Sequence, residues 1–177
     1  PFDDDVLVAG PGYAELWGEV DGPEADVQVS VSEVRPGEGD GDRVEHLVQS
    51  GWLRLGHRAE DEGRSSELEV VHPFTAEHYE PMPEGEMLAV RVPIPATGHA
   101  FAEGSTLRFT VSSPGRNHVR WTFEPPDGIA EDLQYTLGLG GDTPSQLVLP
   151  VLEDVEVNVP SEVPCPGQRG VTCRAID

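Results

Sequence analysis

Apolar and polar positions alternate with period two along most of this chain. In the cleanest stretch, Val27, Val29 and Val31 share one face and Gln28, Ser30 and Ser32 the other. That is the pattern of an antiparallel strand burying one side. Val34 breaks the alternation and predicts a bulge. Leu88, Val90, Val92 and Ile94 repeat the pattern, followed by a turn region over 98–104. Leu107, Phe109 and Val111 define a further strand over 106–112, and 118–123 alternates until Pro125 and Pro126 stop it. Residues 5–9 form a short apolar run that Gly10, Pro11 and Gly12 end; a second run over 13–17 follows. Residues 44–50 lead into 51–55, and 133–137 and 147–151 complete a set of about nine strands. No segment shows the 3.6-residue period of an amphipathic helix beyond one turn near 131–133.

Turn-separated strands of this spacing are the signature of an all-β antiparallel sandwich. The connections are long, which favours a Greek-key jelly roll over a meander. The inward positions are expected to include Val27, Val29, Val31, Leu88, Val90, Val92, Leu107, Phe109, Val111, Leu147 and Leu149. Residues 36–42 read as an acidic hairpin loop. Residues 56–86 read as an irregular crossover, partly strand near 68–71, and connections of that length are often functional. The chain divides into a sandwich over 1–154 and an extended Pro-rich tail over 155–177.

Charge adds a second constraint. Asp and Glu number 33 against 11 basic residues, for a net charge of −22, and every basic residue is Arg. So acidic a surface repels phosphate backbones and anionic lipids, which excludes nucleic acid and membrane surfaces as partners. The same bias is expected from adaptation to high salt or from a Lys-poor, high-GC genome. No apolar run approaches the length of a membrane span, and the first residues carry neither a basic start nor an apolar signal core. Cytoplasmic and secreted locations both remain open. The two cysteines, Cys165 and Cys173, lie close together in the tail. They are expected to form a disulfide if the protein is exported and to stay reduced in a cytosol.

Motifs that carry chemistry are missing. The nearest approach to Gly-x-Ser-x-Gly is Gly63-Arg64-Ser65-Ser66-Glu67, where Glu stands in the second glycine's place. A strained nucleophile elbow does not accept that side chain. No phosphate loop or dinucleotide fingerprint is present; Gly138-Leu139-Gly140-Gly141 does not complete one. His57, His72, His78 and His118 lack metal-ligand spacing. The acidic runs at 38–42 and at Asp3, Asp4 and Asp5 lack a calcium-loop pattern. No cofactor, metal ligand or catalytic residue is therefore expected. Trp17, Trp52 and Trp121 fall in predicted strands and read as core packing, with Trp52 beside Gly51 the one best placed to face a ligand or neighbouring domain.

Several phrases occur in an order more specific than any of them alone. They begin with 5–11, Glu15-Leu16-Trp17 and 21–27, continue through 31–37, 49–54 and His57-Arg58, and end with 101–108, 111–115 and 144–151. Together they resemble the C-terminal domain of the Xaa-Pro dipeptidyl-peptidase and cocaine-esterase-like (CocE/NonD) serine hydrolases. The resemblance implies a jelly roll of the galactose-binding-like type, packed on an α/β-hydrolase domain that holds a Ser-His-Asp triad. Family jelly rolls start earlier, so a strand or two is expected to be missing or supplied from elsewhere. No triad residue of the family maps onto this chain. What carries over is an accessory role: support of an α/β-hydrolase catalytic domain, in the same gene or a separate subunit, and of its substrate cleft. The expected docking surface is the 56–86 crossover with the loop at 114–117, and Trp52, Arg58, Arg64 and Arg116 as contact residues. A stand-alone carbohydrate- or protein-binding jelly roll is the alternative.

Overall fold

A computed structural model describes residues 1–37, 42–115, 132–160, 163 and 173–176. Two antiparallel sheets pack face to face. The first is built on β1 (Val6–Val20), which pairs with β4 (Leu88–Phe101) along one side. Along its other side β1 takes three short strands in turn: β6 (Tyr135–Gly140), β8 (Gln146–Val148) and β9 (Val151–Leu152). The hairpin partner of β6 is β7 (Thr143–Pro144). The second sheet runs in the order β10 (Cys173–Ile176), β3 (Arg43–Arg54), β2 (Asp26–Pro36), β5 (Thr106–Ser112).

Between the sheets lie Val27, Val29 and Val31 of β2, Leu53 of β3, Ala14 and Leu16 of β1, and Val90, Val92 and Ile94 of β4. Leu88, Leu107, Phe109, Val111, Leu147 and Leu149 pack against this core half-buried. Alternation is thus the cause of the fold: each strand commits one side to the shared interior.

Three departures from the sequence reading have one origin, the β-bulge. Gly10, Pro11 and Gly12 do not end a strand; β1 runs straight through them. The register with β4 slips between Gly10 and Gly12, where two residues of β1 are matched by three of β4. The extra residue, at Pro95–Ala96, switches the inward positions of β4 from Val90, Val92 and Ile94 to His99 and Phe101. Apparent loss of alternation after Ile94 therefore marks a bulged strand reaching Phe101, and the turn expected over 98–104 is confined to its end, where the Ser105 amide donates to the Ala102 carbonyl. Gly10, at φ +135°, supplies the backbone conformation that an L side chain resists on the facing strand. Near Val34 the slip lies in the partner: Val31 and Ser32 pair with Gln49 and Leu47, leaving Val48 as the extra residue of β3. Val34 itself continues the Gln28, Ser30, Ser32 face.

That polar face of β2 is buried, not solvated, because β2 is flanked by β3 and β5. Its groups are satisfied laterally. The indole N–H of Trp52 donates to Gln28 Oε1 at 3.0 Å, and the Ser30 and Ser50 hydroxyls meet at 3.0 Å. Trp17 and Trp52 are half-buried, so neither is a core residue. No strand forms at 68–71, and 147–151 is split at Leu149–Pro150 into β8 and β9. The tail is not merely extended, since its end supplies β10. The predicted strand at 118–123 with Trp121, the turn at 131–133 and the acidic loop at 38–41 fall wholly or partly outside the described residues.

Candidate functional site

The crossover from β3 to β4 is anchored at almost every step. It begins with a 3-10 turn over Leu55–His57, whose Leu55 amide donates to the Ala25 carbonyl. The buried carboxylate of Glu24 receives the Gly56 amide at 2.8 Å. Glu80 N–H returns to the Gly56 carbonyl, and Met82 N–H to Pro23, carrying the Met82 side chain into the core. Farther out, both ring nitrogens of buried His72 contact carbonyl oxygens, of Ala59 at 2.9 Å and of Arg91 at 3.0 Å. Arg91 in turn pairs with Glu60 and lies over the Tyr13 ring. Its guanidinium pKa is raised: burial acts downward, but the Glu60 partner outweighs it.

A segment fixed this firmly leaves two aromatics outside. Phe74 is 56% exposed and Tyr79 40%. Phe74 has φ +51°, a conformation unusual for a bulky side chain. His57 lies between them, with ring centroids 5.3 Å from Tyr79 and 6.0 Å from Phe74, while His72 meets the other edge of Phe74 at 5.6 Å. The Nδ1 of His57 is buried and has no hydrogen-bond partner among the described residues. Burial, with the nearby Glu24 charge, raises the Tyr79 pKa. Beside these rings lies a shallow depression of about 310 Å³ walled by Trp52, His57, Phe74 and Pro114. Asp26 and Arg54 also line it, joined by two bonds of 2.8 and 2.9 Å.

Of the sequence-derived contact residues, Trp52 lines this depression. Arg58 does not present a free guanidinium; it is engaged by the Glu80 carbonyl and carboxylate within the crossover. Arg64 is exposed on a turn organised by Asp61 and is not among the residues lining the depression. Arg116 and Cys165 lie outside the described residues, and Cys173 on β10 is disulfide-bonded. In the near-miss motif the Ser65 hydroxyl accepts the Val71 amide and so serves as a local backbone tie. Among the described residues no three His, Cys, Asp or Glu side chains gather as a metal site. No helix among them is long and apolar enough to cross a membrane.

A second constellation escaped the sequence reading. Glu33 takes the next inward position after Val31, so its carboxylate is buried between the sheets. It receives His99 Nε2 and the Ala102 amide, each at 2.8 Å, and pairs with Arg35 at 2.9 Å. Burial works to raise its pKa, but the bonds from His99, Ala102, Arg35 and Ser105 prevail and hold it at about 2. His46 sits nearby with its pKa lowered by burial and by the Arg35 charge. The available signal was charge at inward parity: Glu33 and Arg35 continue the series Val27, Val29, Val31. This cluster ties strands together and offers no open face to a substrate.

A family model described as the X-Pro dipeptidyl-peptidase C-terminal non-catalytic domain matches residues 1–148. The chain belongs to this family. Solved structures with the same fold include a CocE/NonD family hydrolase from Staphylococcus aureus, at 24% identity and a TM-score of 0.64. An aminopeptidase from a marine sediment Thaumarchaeota archaeon matches at 17% and 0.62, and an α-amino acid ester hydrolase at 19% and 0.60. Each match covers 86% of this chain. The chain spans only 29%, 25% and 24% of those three proteins respectively. No curated protein matches. Membership in a non-catalytic family agrees with a site whose apolar rings and internally paired charges suit contact rather than bond-making.

Proposed function

We propose that this chain is the accessory sandwich of a serine hydrolase, docking on an α/β-hydrolase catalytic domain through the outer surface of the β3–β4 crossover. The observation that carries this reading is Phe74: an exposed aromatic, held at positive φ, on a segment otherwise pinned to the core. More than half of this Phe faces solvent in the free chain despite its ring contacts with His57 and His72, and a covering partner would bury the rest. Trp52 and Tyr79 extend the contact surface. Residues 1–154 form the docking unit, with 155–177 as an appended tail. The partner's substrate would be a peptide, ester or amide.

The purified chain is expected to be silent toward proline-dipeptide anilides and short acyl esters. Adding an α/β-hydrolase domain from the same genome should give a complex and raise that domain's activity or stability. Turnover by the chain alone that vanishes on Ser65→Ala would overturn the reading. The depression beside Trp52 also has the aromatic walls a sugar ring needs for stacking. Saturable binding on a glycan array, with no affinity for the catalytic domain, would establish the carbohydrate-module alternative instead.

A further inference from the structure

Between Ala59 and His72 the β3–β4 crossover makes an excursion closed on itself. Asp61 N–H donates to the Val71 carbonyl, Ser66 N–H to the Glu69 carbonyl, and the Ser65 hydroxyl accepts the Val71 amide. Val70 is buried but stands outside the core cluster. The polar ties from this excursion to the sandwich converge on Arg91 of β4. Glu60 pairs with its guanidinium, and the His72 ring reaches its carbonyl.

His72 itself is buried. Its Nδ1 lies 2.9 Å from the Ala59 carbonyl oxygen at the start of the excursion, and its Nε2 lies 3.0 Å from the Arg91 carbonyl oxygen. Both partners can only accept. A neutral imidazole carries one N–H and one bare nitrogen, so it bonds one of these carbonyls and turns a lone pair on the other. Turning the ring over would place carbons at both positions and keep neither bond. Only an imidazolium, with a hydrogen on each nitrogen, satisfies both. Around the ring, β4 contributes the Arg91 guanidinium, whose charge Glu60 offsets. The crossover contributes Glu60, Asp61 beside Val71 and, beyond the Phe74 ring, His57. From β1 comes Tyr13, under Arg91.

We propose that His72 is a proton-operated latch: as an imidazolium it clamps the 59–72 excursion to β4, and loss of one proton to water frees the excursion while the sandwich stays folded. The latch is closed at the acid end and opens as pH rises. Opening is confined to the excursion because the return of the crossover is fixed separately. Glu80 N–H donates to the Gly56 carbonyl and Met82 N–H to the Pro23 carbonyl, with the Met82 side chain in the core. Phe74, two residues beyond His72 and 5.6 Å from its ring centroid, is the exposed aromatic that opening repositions. The latch is a property of the chain by itself and does not depend on the accessory role.

Nitrogen NMR of the His72 ring and amide hydrogen exchange of the full chain test it, both followed upward from about pH 5 until the ring loses its second proton. At the acid end both ring nitrogens should carry hydrogen. As one leaves, the protection of the Asp61, Ser66 and Val71 amides relative to their intrinsic rates should fall at least about tenfold, with Glu80, Met82 and β2 at 27–31 unchanged. His72→Gln offers donors at one end of its side chain only and should show the low protection at every pH. The native chain decides the question by itself should that variant fail to fold. A ring with a single N–H already at about pH 5 would overturn the proposal. So would protection at Asp61, Ser66 and Val71 that does not follow the ring's proton. Loss of protection at Met82 and throughout β2 would also overturn it, by making His72 a staple of the whole fold.

Discussion

His99 Nε2 of β4 donates a 2.8 Å hydrogen bond across the sandwich to the Glu33 carboxylate of β2. A carboxylate thus stands where the inward series of β2 calls for an apolar group, and it makes folding pH-dependent. The Glu33 pKa is about 2 in the fold against 4.5 ordinarily. A depressed carboxylate contributes fully above its unfolded value. That contribution is lost as pH falls from 4.5 toward 2, because the unfolded chain takes up the proton first. The loss should reach about 3 kcal/mol by linkage. Urea unfolding across this range should show the decline in the native chain and a flattened one in Glu33→Gln.

Gly51 of β3 lies directly under β4. A Cβ there would stand 2.1 Å from the Pro93 carbonyl oxygen and 3.3 Å from Val29 Cγ2. Neither the backbone nor the packed valine can withdraw without moving the two sheets apart. Gly51→Ala should therefore destabilise the sandwich by about 3 kcal/mol. Gly98→Ala, where a Cβ meets nothing within 4 Å, should change stability by under about 0.5 kcal/mol. Equal effects in chemical denaturation would mean that the sheets are not in that contact.

The strands were legible where one rule held along their whole length. Val27, Val29 and Val31, or Val90 and Val92, declare an inward face by parity alone. Legibility failed at Pro95–Ala96 and at Val48, because a bulge changes parity without changing strand character, and nothing local distinguishes it from a turn. β10 was invisible for another reason: its four residues show no alternation and owe their conformation to β3. At the candidate site Trp52 was readable as an aromatic beside a glycine. Phe74 and Tyr79 were not, since exposure is decided by the tertiary ties of Gly56, His72 and Met82. Arg58 misled because a loop arginine in sequence gives no sign of the Glu80 carbonyl that occupies it.

Salt should stabilise this protein. With 33 acidic against 11 basic residues, repulsion among carboxylates outweighs attraction, and the compact state concentrates it. Salt near ~0.1 M screens charges beyond about 10 Å, which weakens this long-range repulsion more than close pairs such as Arg54–Asp26. The melting temperature should rise steadily from low to ~0.5 M sodium chloride. A flat or falling curve would show that the acidic surface is already compensated and would remove the salt-adaptation reading of its composition.

Phe74 separates the needs of the fold from those of docking. Its side chain is 56% exposed and its backbone sits at φ +51°, so replacing it relieves strain and removes little burial. Against that stands the loss of ring contacts with His57 and His72. Phe74→Gly suits the positive φ, and these opposing effects should leave the stability of the isolated chain within about 1 kcal/mol of native. Docking should respond quite differently. An aromatic anchor at the centre of an interface commonly costs 2 kcal/mol or more on truncation, so affinity for the α/β-hydrolase domain should fall roughly thirtyfold or more. Calorimetric titration of native and variant chains, with thermal unfolding in parallel, measures both quantities. An unchanged affinity would move the docking surface away from the crossover. A large loss of stability would make Phe74 a structural residue of the loop rather than a contact.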